Sequence, residues 1–105
     1  MFRLNMATTP EWDVVVVGGA NTDYLARGAA LPTPGGTADG DIFLEAPGGK
    51  GANQAVAAAR LSARVALIAR LGIDARGDEL HEALAAEGVD LRYVIRDDRS
   101  PTGAA

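Results

Sequence analysis

Four consecutive valines, Val14 to Val17, stand between Asp13 and the pair Gly18-Gly19. β-Branched side chains are stiff about their first torsion and pack well on a pleated surface, so this run reads as a strand. A half-exposed strand alternates apolar with polar residues, and this one does not alternate. The expectation is an inner strand of a parallel sheet, buried on both faces and stopped by the glycines. Later segments extend the pattern. The alanine-rich stretch from Gly51 to Leu61 is strongly helix-forming, and Ala63 to Leu71 reads as a second strand halted by Gly72. Asp74 can cap a further helix, with Asp78 and Glu79 in its first turn, Leu80, Ala83 and Leu84 as its buried stripe, and Gly88 at its end. Leu91 to Ile95 makes a third strand. Between the first strand and the first helix, residues 22–31 and 40–46 flank Pro32, Pro34, Gly35 and Gly36, and read as two strands joined by an irregular turn. Strand, excursion, helix, strand, helix, strand predicts an α/β fold with a mostly parallel sheet and flanking helices.

Composition narrows what such a fold can do. The 105 residues bound it at one domain or a piece of one, and 48% hydrophobic with 23% charged residues is too apolar for a disordered chain. A formal net charge of -4 and 5% aromatics leave no electrostatic footprint for nucleic acid or an anionic membrane surface. The absence of cysteine excludes disulfides and thiolate-bound metal, and His81, the sole histidine, cannot build a zinc cluster. No apolar run approaches the length of a membrane span, so a cytoplasmic protein is the expectation. Residues 1–12 carry no apolar core of a secretory signal and read as a flexible leader, with the folded part over 13–105.

The segment that carries chemistry is Pro47-Gly48-Gly49-Lys50-Gly51-Ala52-Asn53-Gln54-Ala55. Glycines directly before a helix let the backbone take φ > 0 and let a ligand approach the main chain. The helix N-terminus then offers unpaired N–H groups and the positive end of its dipole, which favour oxygen-rich ligands. Lys50 and Asn53 are three residues apart, on one helical face. Two phosphate motifs fail here. A P-loop needs Ser or Thr after its lysine, and Lys50 is followed by Gly51. The dinucleotide fingerprint fails at Gly18-Gly19-Ala20-Asn21-Thr22-Asp23, which lacks the last glycine and the helix. Nine of the ten basic residues are arginine, so the single lysine at this point suggests a need for a compact point charge.

What remains resembles the ribokinase, or PfkB-type, carbohydrate kinase family. Its N-terminal signature asks for small or glycine positions, an Asn and a further small residue, then Gly or Ser and a last Gly at fixed intervals. Gly48, Gly49, Gly51, Asn53, Ala55, Ser62 and Gly72 meet it. The resemblance covers residues 13 to 105, and the wider run GGKGANQAVAAARL is closest to the ribokinase branch. It implies a ribokinase-like N-terminal portion with a small β lid, formed by segments about 22–46 and about 91–105. It also implies sugar contacts from Asn21, Asp23, Gly49, Lys50 and Asn53, a lid hinge at Gly48-Gly49, and a homodimer through the lid. Asp suits such a role because a carboxylate accepts two hydroxyl hydrogen bonds.

The family's catalytic Asp lies in a later glycine-rich motif, and Thr102-Gly103-Ala104 does not match it. The C-terminal catalytic half is therefore expected to be absent, and the chain alone to be inactive. ATP, Mg²⁺ and K⁺ are implied for the full-length enzyme, acting on ribose or a related pentose. Alternatives are a non-catalytic sugar-binding or lid interaction module, and an inactive truncated remnant. Structural readings stand beside the functional ones. Asn21 and Asp23 alone suit a strand-end turn, Asp74 a helix cap, His81 an exposed surface, Trp12 and Tyr24 packing, and Arg96 to Arg99 a solvated turn.

Overall fold

The computed structural model describes residues 9–105 and contains a three-stranded parallel sheet, two helices and a two-stranded antiparallel ribbon. Chain order is β1 (Val14–Val17), β2 (Asn21–Gly28), β3 (Gly40–Gly48), α1 (Lys50–Arg60), β4 (Val65–Gly72), α2 (Ala75–Ala86) and β5 (Val94–Asp97). The parallel sheet runs β1-β4-β5, with Val14 opposite Val65 and Ala69 opposite Val94. The α/β class expected from the sequence is what the chain adopts.

Both helices cover one face of that sheet, and the core lies between. Leu67, Leu71, Leu80 and Val65 are its largest fully buried side chains. α1 contributes only Gly51, Ala52 and Ala55 as buried residues, and their smallness sets the helix close to β1. A Cβ on Gly51 would stand 2.7 Å from the Gly18 carbonyl carbon, so only glycine admits this approach. α2 buries Leu80 and Leu84, with Asp74 as its N-cap, as the periodicity requires.

Each helix ends in the same hydrogen-bond pattern. After α2, the Val89 N–H donates to the Leu84 carbonyl and the Gly88 N–H to that of Ala85, with Gly88 at φ 85°. After α1, the Ala63 N–H donates to Ala58 and the Ser62 N–H to Ala59, with Ser62 at φ 69°. These are paired Schellman caps, one built on the usual glycine and the other on serine.

Four expectations need correction. Among the described residues β1 is an edge strand, not an inner one, because β4 holds the centre of the sheet. Among its valines only Val16 is buried, while Val15 is 51% and Val17 76% exposed. The face opposite the helices, carrying Val15, Val17, Ile68 and Ile95, has no covering layer among the described residues, which is why an all-valine strand remains open. Arg96 to Arg99 is not a free turn either. Arg96 and Asp97 lie in β5, and the Arg96 guanidinium donates to the Gly72 carbonyl at 2.9 Å and to Asp78 at 2.6 Å. The third strand itself is displaced towards the C-terminus, to Val94–Asp97. Of the leader expected over 1–12, residues 1–8 lie outside those described. Trp12 donates to Asp90 at 3.0 Å and meets Tyr93 edge-on at 5.5 Å, and Glu11 pairs with Arg92 at 2.7 Å, so this end is tied to the sheet.

The ribbon projects from this core. β2 and β3 pair from Asn21–Gly48 to Gly28–Gly40, and the molecule reaches 63 Å in its longest dimension. The radius of gyration of 17.8 Å exceeds the roughly 13 Å of a compact chain of this length. Residues 91–105 divide between the layers. β5 belongs to the parallel sheet, and the last residues reach the ribbon, where the Thr22 N–H donates to the Gly103 carbonyl and the Tyr24 N–H to that of Ala105.

Candidate functional site

The Gly18-Gly19 turn after β1, the start of β2, the end of β3 and the N-terminus of α1 converge on one point. The sequence forces this convergence. Gly18 and Gly51 allow backbones to touch, and the Ala52 N–H donates to the Gly19 carbonyl at 3.0 Å, fastening α1 to the turn. Asn21 pairs with Gly48 in register, so the first residue of β2 faces the last of β3.

Asn21 and Asp23 alternate along β2 and share one face of the ribbon. The Asn21 amide donates to the Asp23 carboxylate at 2.7 Å. That carboxylate lies over Gly48, at the place a side chain there would occupy. Gly49 is the N-cap of α1 at φ 101°, ψ 135°, and a Cβ on it would stand 2.6 Å from the Gly19 carbonyl oxygen and 3.0 Å from Asn21 Oδ1. No side chain caps α1, and its first turn holds no acid. The positive end of its dipole is left without a protein carboxylate of its own helix, which suits an incoming oxygen-rich group.

Lys50 opens the helix, exposed and with no ion pair among the described residues. Asn53 lies one turn on, and it lines a groove of about 520 Å³ between α1 and α2 together with Pro47, Gly48, Leu80 and Leu84. The structure thus brings Asn21, Asp23, Gly48 and Gly49 into contact and sets Lys50 beside them. Asn53 is not brought into that cluster: it shares with Gly48 a mostly apolar groove that neither Asn21 nor Asp23 lines.

The sequence profile described as "pfkB family carbohydrate kinase" matches residues 12–105. The chain belongs to that family. Within the pfkB family, the ribokinase of Haemophilus influenzae is 41% identical over 92 residues, 88% of this chain and 30% of that protein. The structure of Arabidopsis thaliana ribokinase complexed with ribose and ATP superposes with a TM-score of 0.74 at 41% identity, covering 86% of this chain and 30% of the other. Ribokinase from Cryptococcus neoformans in complex with ADP gives 0.80 at 33% identity, covering 87% and 29%. The chain therefore spans about 30% of the length of the curated relatives it matches.

One group of neighbours escaped the sequence reading. Asp74 does more than cap α2. Its carboxylate accepts from the Gly77 N–H at 2.7 Å, from the Thr102 N–H at 2.8 Å and from the Thr102 hydroxyl at 2.6 Å. The Thr102 hydroxyl in turn accepts from the Gly72 N–H at 3.0 Å. The Thr102 hydroxyl and N–H, then the Gly77 N–H, hold the Asp74 carboxyl below its usual range. Nothing in the spacing of Asp74 and Thr102, 28 residues apart, announces that contact. His81, expected on an exposed surface, is half-buried on α2.

Proposed function

We propose that this chain is the sugar-binding part of an ATP-dependent carbohydrate kinase of the ribokinase type, which phosphorylates ribose at its 5-hydroxyl. The observation that carries the reading is the meeting of Asn21, Asp23 and the Gly48-Gly49 backbone at an uncapped helix N-terminus. In this reading the Asp23 carboxylate accepts two sugar hydroxyls, and the Asn21 amide orients it. Gly49 offers main chain, Lys50 an ammonium donor and Asn53 an amide. Gly48-Gly49 is the hinge on which the ribbon closes as a lid over the sugar. Family membership and the ribose complex of the Arabidopsis thaliana relative support this assignment.

Phosphoryl transfer needs groups this chain does not offer. Among the described residues no cluster of three or more His, Asp or Glu could hold a metal ion, and no glycine-rich motif follows that would cradle phosphates. The residues present do not fit Mg²⁺, K⁺ or the triphosphate of ATP. The proposal assigns those sites, and the catalytic base, to the remainder of a longer protein. A cytoplasmic location, where ATP is available, belongs to the same reading. No helix among the described residues is long and apolar enough to cross a membrane.

The ribbon supports a second element of the proposal. Leu25, Ile42 and Leu44 share the face that carries Asp23, and Leu25 and Leu44 are more than half exposed. We infer that two lids pair through this face as a homodimer. Sedimentation should then show a dimer that Leu44→Asp dissociates, and a monomer at all concentrations would remove this element.

Calorimetry of the chain with ribose tests the main reading. Saturable heat that falls at least roughly tenfold in affinity in Asp23→Asn and Lys50→Ala is the expected result. A folded chain that releases no ribose-dependent heat refutes it.

A further inference from the structure

The strand that bears Asn21 and Asp23 is held on both edges. One edge is β3. The other is the end of the chain, where the Thr22 N–H donates to the Gly103 carbonyl at 2.9 Å, the Ala105 N–H to the Thr22 carbonyl at 3.0 Å and the Tyr24 N–H to the Ala105 carbonyl at 2.6 Å. Residues 103–105 therefore act as a third, parallel strand of the ribbon. Thr22, between the two site residues, is only 5% exposed.

What holds that third strand is the first turn of α2. Thr102, the residue before it, is 8% exposed and gives both its N–H and its hydroxyl to Asp74. The surrounding backbone is packed around this contact. A Cβ on Gly72 would stand 2.5 Å from the Thr102 nitrogen, and one on Gly77 would stand 2.9 Å from the Thr102 hydroxyl. A second tie runs from the same turn to the ribbon's other face. The Arg76 guanidinium sits 5.3 Å from the Tyr24 ring centroid and pairs with Glu45 at 3.0 Å. Cation–π and ion-pair contacts of this exposed kind are weaker than a part-buried carboxylate accepting three hydrogen bonds.

From these contacts we propose that Asp74 and Thr102 form an anchor that sets the position of the Asn21–Asp23 strand, making both of them positioning residues for the ligand site. The inference rests on the sugar-binding reading above for the nature of the ligand, but not for the anchor itself. Force passes from α2 through Thr102 to Gly103, and from Gly103 to the Thr22 amide between the two site side chains. An anchor at this place fixes the root of the ribbon, whereas its far end has no such tie among the described residues.

Asp74→Asn separates the anchor from the helix cap. Asparagine caps a helix as well as aspartate does, so its carbonyl oxygen keeps the Gly77 bond. Its amide nitrogen cannot accept from the Thr102 N–H. Thr102→Val removes the hydroxyl at nearly constant shape, and Thr102→Ser restores it. In the chain, amide exchange at Thr22 and Tyr24 should quicken roughly tenfold in Asp74→Asn and Thr102→Val, with Leu67 in the core unchanged. Ribose affinity should fall by roughly the same factor, and Thr102→Ser should behave as the parent. If Thr22 and Tyr24 keep their parental exchange in both variants, the anchor is refuted. The same holds if they quicken only in step with Leu67. Should the parent chain bind no ribose, the sugar reading fails by itself and the exchange result alone decides the anchor.

Discussion

Replacing Gly49 by alanine tests the geometry of the site more sharply than any change to its polar groups. Gly49 adopts φ 101°, ψ 135°, a region that residues with a side chain rarely enter, at a cost of about 1–3 kcal/mol. The new methyl also meets the Gly19 carbonyl oxygen at 2.6 Å and the Ala20 Cα at 2.7 Å, both of them backbone and unable to turn aside. Overlap of this kind costs about 1–3 kcal/mol more. Stiffening the unfolded chain offsets about 0.4–1 kcal/mol. A net loss of about 3 kcal/mol follows, or roughly 12–24 °C in Tm for a chain of this size. Gly19→Ala is the matched control, since its Cβ meets nothing within 4 Å and its φ is not positive. It should stay within about 0.5 kcal/mol of the parent. Urea unfolding followed by Trp12 fluorescence reads both, because Trp12 is the only tryptophan and is packed against Tyr93 and Asp90. If Gly49→Ala and Gly19→Ala agree within about 0.5 kcal/mol, the tight corner at the root of α1 is not real, and the site built on it falls too.

Two further outcomes are expected. Ser62 occupies with φ 69° the position that Gly88 fills after α2, so Ser62→Gly should raise stability by about 1 kcal/mol and Gly88→Ser lower it similarly, read by thermal melting. Stability should also decline in acid. The Arg64 side-chain and backbone hydrogen bonds lower Asp13 from 3.8 to about 2, and Asp74 and Asp90 are lowered as well. Groups depressed on folding stabilise fully above their unfolded value and lose that contribution as pH falls through the folded one. The loss therefore runs from about pH 4 down to about pH 2, and Asp13→Asn should flatten that limb of a pH titration of Tm.

The parts of this fold that were legible in the sequence are those decided by neighbours along the chain. α1, α2, the Asp74 cap and the Gly88 stop follow from propensity and spacing within one helical turn, and the structure keeps them within a residue or two. The all-valine β1 was misjudged for the opposite reason. Its four side chains declare that they belong in a core, but burial is a property of the layer opposite, and no described residue supplies one. Arg96 looked like part of a solvated turn because its partners, Gly72 and Asp78, lie 24 and 18 residues away. Asp74 and Thr102 were hidden in the same way, across 28 residues.

The family signature shows why a motif can be recognised before its meaning is clear. Of its seven positions, four answer to packing. Gly51 lets α1 touch the Gly18 backbone, and Ala55 is fully buried against the sheet. Ser62 carries the left-handed turn that ends α1, and Gly72 makes room for Thr102. Gly48 and Gly49 alone border the place where Asn21 and Asp23 converge, and Asn53 lines the neighbouring groove. Asn21 and Asp23 are themselves outside the signature, since they come from β2 and reach it only by strand pairing. The pattern is therefore mostly a record of how a helix is seated at the end of a strand. That seat leaves a helix N-terminus uncapped beside the Asp23 carboxylate, which is where the proposed sugar contacts lie. Changes at Gly51, Ala55 or Gly72 should lose ligand and fold together, while changes at Asp23 or Lys50 should lose ligand and spare the fold.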